Sequence, residues 1–186
     1  MKYNRIYRGV NIAGTWLHGT RTAISFTTRE MAVKYAFTDV SPMLPAETPR
    51  LYCGDIEIAA PFVDLPTTSH LPVEKLVQLV GGVDAFYIAE VLANAMQTTP
   101  EWTALREEHK LEYAMMFQFR RYERFLWKLT VPLDALVQSD KCVAILRKKG
   151  FDGAIYQHNF KDIDHTVFAV FDDTQIENAH FPEYLN

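Results

Sequence analysis

The chain of 186 residues is 48% hydrophobic and 13% aromatic, enough apolar side chain to bury one sizeable core, so a single domain over 1–186 is expected. No stretch approaches the roughly 20 apolar residues that span a bilayer, and the start MKYNRIYRG has no continuous apolar run of signal-peptide type, so a cytoplasmic protein with no membrane partner is expected. Lys and Arg number 19 against 23 Asp and Glu, a formal net charge of -4 that excludes a generic polyanion binder, and the two cysteines, Cys53 and Cys142, make neither a disulfide framework nor a four-ligand zinc site.

Segments 5–10 and 22–27 are short and rich in Ile, Tyr, Val, Phe and Thr, and read as strands joined by a loop through Asn11 to Arg21. Thr27 followed by Glu30 has the pattern of a capping box, opening a helix whose apolar face holds Ala32, Tyr35 and Ala36 and which ends near Thr38. Prolines at 42, 45 and 49 mark a loop, and residues 51–58 form a strand that stops at Ala60 and Pro61. Val73, Leu76, Val77 and Val80 then follow helical spacing, and a second helix after Gly81 and Gly82 presents Ile88, Leu92, Ala95 and Met96. Pro100 starts a third, long helix with Met115, Phe119, Tyr122, Leu126 and Leu129 on one stripe, stopped by Pro132. A short helix from about Ser139 to Lys149 is followed by Gly150, a residue suited to a left-handed cap, with a tight turn expected at Gly153. Strands at 154–157 and 165–171 complete an α+β chain, the second almost continuously apolar and therefore central in its sheet, with a helical insertion at 71–131.

In order along the chain, YRGV at 7–10, ISFTTREMAVKYA at 24–36, LYCGDIEIAAPFVDL at 51–65, GFDGAIY at 150–156 and HTVFAVFDDTQIENA at 165–179 resemble the ADP-ribosyltransferase superfamily, above all its small bacterial and phage-borne members. The resemblance covers most of 5–65 and 140–179 and leaves out the helical block. It implies a split β-sheet around a cleft that takes NAD+ as substrate. In the arginine-serine-glutamate branch it implies that Arg8, with Gly9 beside it, contacts the phosphate and ribose side of NAD+, where the guanidinium fork gives two charge-assisted hydrogen bonds. Ser25, Phe26 and Thr27 resemble the motif that braces the site and the nicotinamide ribose, and Tyr35 the aromatic position near the nicotinamide. Taken singly, Arg8 is an ordinary strand arginine, Thr27 a helix cap and Tyr35 a core residue of an apolar helix face.

The family's catalytic acid is a glutamate at or just before the late strand, where it stabilises the oxocarbenium-like state as nicotinamide leaves. Here no Glu occurs between Glu123 and Glu177, so Asp164, next to the strand, or Asp162, carried on a loop from Gln157 to Lys161, takes that place. His165 reads as a strand-end histidine exposed to water, with a second reading as a base near neutral pH. His18, in LHGT, resembles the first-strand pattern of the diphtheria-toxin-like branch but stands too close to Ser25, which leaves Arg8 as the first-strand residue.

The resemblance implies an enzyme that cleaves NAD+ and transfers ADP-ribose to a macromolecule, of the toxin, effector or phage counter-host type, with an acceptor that is a protein more than a nucleic acid and with room for a neutralising partner protein. Two alternatives stay open: an NAD glycohydrolase, and a catalytically inactive binding protein or inhibitor of the same fold. In the helical block, Phe117, Phe119, Tyr122, Phe125 and Trp127 interleave with Arg120, Arg121, Arg124 and Lys128, a composition that suits nucleic acid and equally an amphipathic helix balanced by Glu107, Glu108, Glu112 and Glu123.

Overall fold

The computed structural model describes residues 1–10, 23–38, 49–64, 69–180 and 183–185. The loop expected through Asn11 to Arg21, with His18, and the loop of Pro42 and Pro45 lie outside the described residues. The chain is mixed α+β and divides into two compact units, one formed by 1–67 with 151–186 and the other by 68–150. The helical insertion expected over 71–131 falls within the second.

The first unit holds two open sheets. In one, β1 (Lys2–Val10) runs antiparallel to β3 (Arg50–Glu57), whose other edge carries the short strands β9 (Ile176–Glu177) and β10 (Glu183–Tyr184). In the other, the order is β2 (Ile24–Phe26), β8 (Ile163–Val170), β7 (Gly153–Phe160) and β4 (Pro61–Asp64), with β4 parallel to β7 and the remaining pairs antiparallel. Among the described residues a β-bridge joins the sheets: the amides and carbonyls of Tyr7 and Thr27 exchange hydrogen bonds of 2.9 and 2.8 Å. Ile6, Phe26, Ile56, Ile58, Ile155 and Val170 pack into one apolar cluster contributed by both sheets.

Helix α1 (Arg29–Thr38) lies on β1, and Gly9 explains how closely. A Cβ there would stand 1.7 Å from the Ala32 carbonyl oxygen and 2.9 Å from the Ala36 amide nitrogen, so a glycine lets two backbones touch. The helix starts one residue later than the capping pattern predicts. The hydroxyl facing the Met31 amide, at 3.5 Å, belongs to Thr28, while that of Thr27 donates to the Thr166 carbonyl at 2.9 Å. Gly153 is no turn residue either: it sits inside β7, where a Cβ would meet the Ala169 carbonyl oxygen at 2.5 Å across the strand pair.

Strand β7 continues to Phe160, so 157–161 is not a loop. Phe160 pairs with Ile163, and between them Lys161 and Asp162 both have positive φ, 49° and 64°, the pattern of a type I′ hairpin turn that preserves the twist of its strands. Asp152, just before β7, ties the hairpin to the end of β3: its carboxylate accepts the amides of Ala59 and Ala60, each at 2.8 Å.

The second unit pairs β5 (His70–Pro72) with β6 (Thr130–Pro132) and carries the helices α2 (Val73–Val80), α3 (Gly82–Val91), α4 (Ala93–Met96), α5 (Pro100–His109), α6 (Met115–Gln118), α7 (Arg120–Leu126), α8 (Leu133–Gln138) and α9 (Asp140–Lys148). Helix α2 buries Val73, Leu76 and Val80 as its spacing predicts, and the hydroxyl of Ser139 caps α9. The long helix expected from Pro100 is three pieces. Lys110 turns left-handed at φ 53°, and Phe119 is extended at φ -127° and ψ 113°. The break lets Tyr113 point inward, where its hydroxyl donates to the Ala89 carbonyl at 2.9 Å and its ring meets Trp102 edge-on. Phe119 consequently leaves the expected stripe and is 46% exposed, Met115 and Tyr122 are half-buried, and Leu126 and Leu129 are buried.

Candidate functional site

The described residues that sequence assigns to the NAD+ site all belong to the first unit, and the backbone sorts them by face. Along β8 the side chains of His165, Val167 and Ala169 share one face, which register extends to Ser25 on β2 and to Tyr156 and His158 on β7. Ile24, Phe26, Phe168 and Ile155 occupy the other, apolar face, and so do Asp164 and its partner Asn159.

A track of polar contacts, carried between hydrogen bonds by chain neighbours, leads from Arg8, which stands opposite Phe26 across the Tyr7–Thr27 bridge, to Tyr35 on the first face. Arg8 donates from Nη1 to the Ser25 carbonyl at 3.3 Å, reaching from one sheet to the other. Thr27 is 5% exposed and links both ends: its backbone bonds Tyr7, beside Arg8, and its hydroxyl bonds Thr166, beside His165. The Tyr35 hydroxyl then lies 2.9 Å from His165 Nε2, and His165 Nδ1 lies 3.2 Å from the Ile163 carbonyl. The Phe160 ring is tilted against Tyr35 at 4.4 Å between centroids, and His158 stands perpendicular to His165 at 5.5 Å.

His165 is therefore not a water-exposed strand end; it is 6% exposed. Burial, the largest influence, and the facing His158 push its pKa down, against the upward pulls of the Ile163 carbonyl and the Asp164 charge. Sequence alone missed its partnership with Tyr35, which depends on α1 packing over this face.

Four of the expected assignments change. Phe26 is 1% exposed inside the apolar cluster and is a core residue with no surface to offer a ligand. Gly9 is filled against by α1, so its small size serves packing. Asp164 points to the face opposite Ser25 and His165, where its carboxylate accepts from Asn159 Nδ2 at 2.8 Å, and Asp162 sits in the hairpin turn rather than on a loop that folds over a ligand. Other carboxylates near the motifs are also engaged elsewhere: Glu30 with Lys34, and Glu183 with Arg29.

A separate open groove of about 660 Å³ lies on the unit's first sheet, lined by Arg5, Tyr7, Arg29, Cys53, Asp55 and His180 among others, and it includes none of the expected NAD+-site residues. Within it, hydrogen bonds from Asn178 and from the Arg5 amide hold the Asp55 carboxyl below its ordinary value.

A guanidinium can fork two hydrogen bonds to an anion and a tyrosine ring can stack on a flat ring, whereas Asp164 lies on the face of β8 opposite His165. Among the described residues no group of three or more His, Cys, Asp and Glu is placed to hold a metal ion, and no helix is long and apolar enough to cross a membrane. Compared with protein-family models, with curated proteins and with solved structures, the chain matches none of them.

Proposed function

We propose that the first unit binds NAD+ along the Arg8–Tyr35 track and transfers its ADP-ribose to a macromolecular acceptor, as a mono-ADP-ribosyltransferase of the toxin or effector type acting in the cytoplasm. The observation that carries this reading is the linkage of three separate sequence motifs: Arg8 donates to the Ser25 carbonyl, Thr27 donates to the Thr166 carbonyl on β8, and Tyr35 bonds His165, the neighbour of Thr166. Arg8 takes the pyrophosphate and Ser25 and Thr27 line the ribose. Tyr35 stands beside the nicotinamide. Departure of neutral nicotinamide leaves positive charge on the ribose carbon, which a preorganised polar site meets without reorganising.

The second unit supports a protein acceptor. Arg121 lies over the Tyr122 ring at 4.6 Å, and Arg124 and Lys128 cover Phe125 at 5.0 and 5.6 Å, so these cations already occupy aromatic faces that bases would need for stacking.

A second reading, an NAD+-binding protein without turnover that acts as an inhibitor of a partner, is favoured by the orientation of Asp164. One experiment separates the readings. The purified chain is incubated with adenylate-labelled NAD+ and a cell lysate, and label in protein and RNA is followed together with free nicotinamide. Transfer into protein that disappears in Arg8→Ala, and is not restored by Arg8→Lys because an ammonium lacks the fork, supports the transferase. Saturable NAD+ binding with no nicotinamide release establishes the binding protein, nicotinamide release without transfer a glycohydrolase. Neither binding nor turnover refutes all three.

A further inference from the structure

The proton positions in the Tyr35–His165 pair follow from the groups themselves. The Ile163 carbonyl can only accept, so the Nδ1 facing it carries a hydrogen. A neutral imidazole then presents its lone pair at Nε2, and the Tyr35 hydroxyl donates to it at 2.9 Å. Neutrality fits the surroundings: burial keeps the ring below its ordinary value, and among the described residues the titratable groups around it are Tyr35 from α1, His158 from β7 and the neighbouring Asp164, whose carboxylate is tied to Asn159 on the other face. Phe160 and His158 hold both rings in place. A hydroxyl aimed at a buried, tautomerically fixed imidazole is an arrangement for moving a proton.

We propose that Tyr35 and His165 form a proton relay that deprotonates the ADP-ribose acceptor, an inference that rests on reading the track as an NAD+ transferase site. In that step the bond between the ribose C1′ and the nicotinamide nitrogen breaks and its electron pair stays with the nitrogen. A lone pair of the acceptor forms the new bond to C1′. The acceptor's proton passes to the Tyr35 oxygen as the tyrosine's own proton passes to Nε2, and the imidazolium so formed releases a proton to water. Tyr35 touches the reacting group; His165 acts through it and is a positioning residue and proton store.

Two measurements test the relay. Nitrogen-15 NMR of the full chain needs no NAD+: it is expected to show His165 protonated at Nδ1 and bare at Nε2, with the Nε2 signal moving in Tyr35→Phe. An Nε2-protonated tautomer, or a signal indifferent to Tyr35→Phe, overturns the relay whatever the protein does with NAD+. In the transfer assay, Tyr35→Phe keeps the ring and removes the relay, so kcat is expected to fall about 10²–10⁴-fold, with KM for NAD+ changed far less and the acid limb of the kcat profile lost. His165→Gln, which accepts a hydrogen bond without taking a proton, is expected to behave alike. Wild-type rates and an unchanged profile in both variants overturn the relay and leave the transferase standing. A wild-type chain with the expected tautomer but no NAD+ turnover overturns the transferase reading, and the relay with it.

Discussion

Gly9→Ala tests whether the glycine beside Arg8 serves packing or a ligand. A methyl at this position would stand 1.7 Å from the Ala32 oxygen, 2.7 Å from the Ala32 carbonyl carbon and 2.9 Å from the Ala36 nitrogen. All three are backbone atoms, so no side-chain rotation relieves them, and α1 must retreat by more than an ångström before ordinary contact is restored. The retreat loosens Met31, Ala32 and Ala36, all fully packed. Overfilling a core costs about 1–3 kcal/mol where side chains can give way, and a clash confined to backbone belongs at or above the upper end, about 3 kcal/mol. In urea that lowers the midpoint by about 1 M or more. The assay is urea unfolding by circular dichroism, with amide exchange to locate the loosened helix at α1. Gly82→Ala is the control: nothing lies within 4 Å of its Cβ, so the substitution is expected to be neutral or stabilising by up to about 1 kcal/mol. A Gly9→Ala chain as stable as wild type that has lost NAD+ binding would refute the packing account and return Gly9 to the ligand.

The hairpin turn gives a second prediction. Because Asp162 holds φ at 64°, Asp162→Gly is expected to raise stability by about 0.5–1 kcal/mol in thermal or urea unfolding, and a loss of stability would mean the turn is not of this kind. A third concerns pH. The folded state holds His165 below the ordinary histidine value near 6.5, so in the interval between the two values the unfolded chain binds more protons. The stability this contributes is complete above that ordinary value and is lost as pH falls through the folded one. The urea midpoint of wild type is expected to drop from about pH 7 toward acid, with His165→Gln lacking that component; equal slopes in both chains would place the sensitivity elsewhere.

Local signals in the sequence carried the elements whose pattern is local. The apolar spacing of Val73, Leu76 and Val80, the Ser139 cap and Gly150 after α9, and the unbroken apolar run of β8 all became what they predict. The turn at Lys161 and Asp162 has neither glycine nor asparagine, so its strands read as ending early and 157–161 as a loop; that single misreading moved both aspartates. The break at Lys110 has no proline or glycine either and is imposed by the burial of Tyr113 and Trp102, a tertiary cause overriding helix propensity. Likewise the parallel pairing of β4 with β7 joins segments distant in the chain. The order of motifs in the sequence identified Arg8, Ser25, Thr27 and Tyr35 as belonging together, but which side of β8 faces them is a matter of register.

That register decides the chemistry. Moving Asp164 onto the Ser25 face requires a one-residue slip of β8, and with a side-chain period of two the slip also turns Val167 and Ala169, now 6% and 0% exposed, to the other side and brings Thr166 in their place. It would break the pairing of His158 with His165 and the tight turn that closes the hairpin. The carboxylate is therefore kept off the Ser25 and His165 face by the same alternation that buries His165 behind Tyr35. If the protein transfers ADP-ribose with this register, Asp164 does not touch the ribose, and the groups that remain are the Ser25–Thr27 carbonyls and hydroxyls for the positive charge and the Tyr35–His165 pair for the proton.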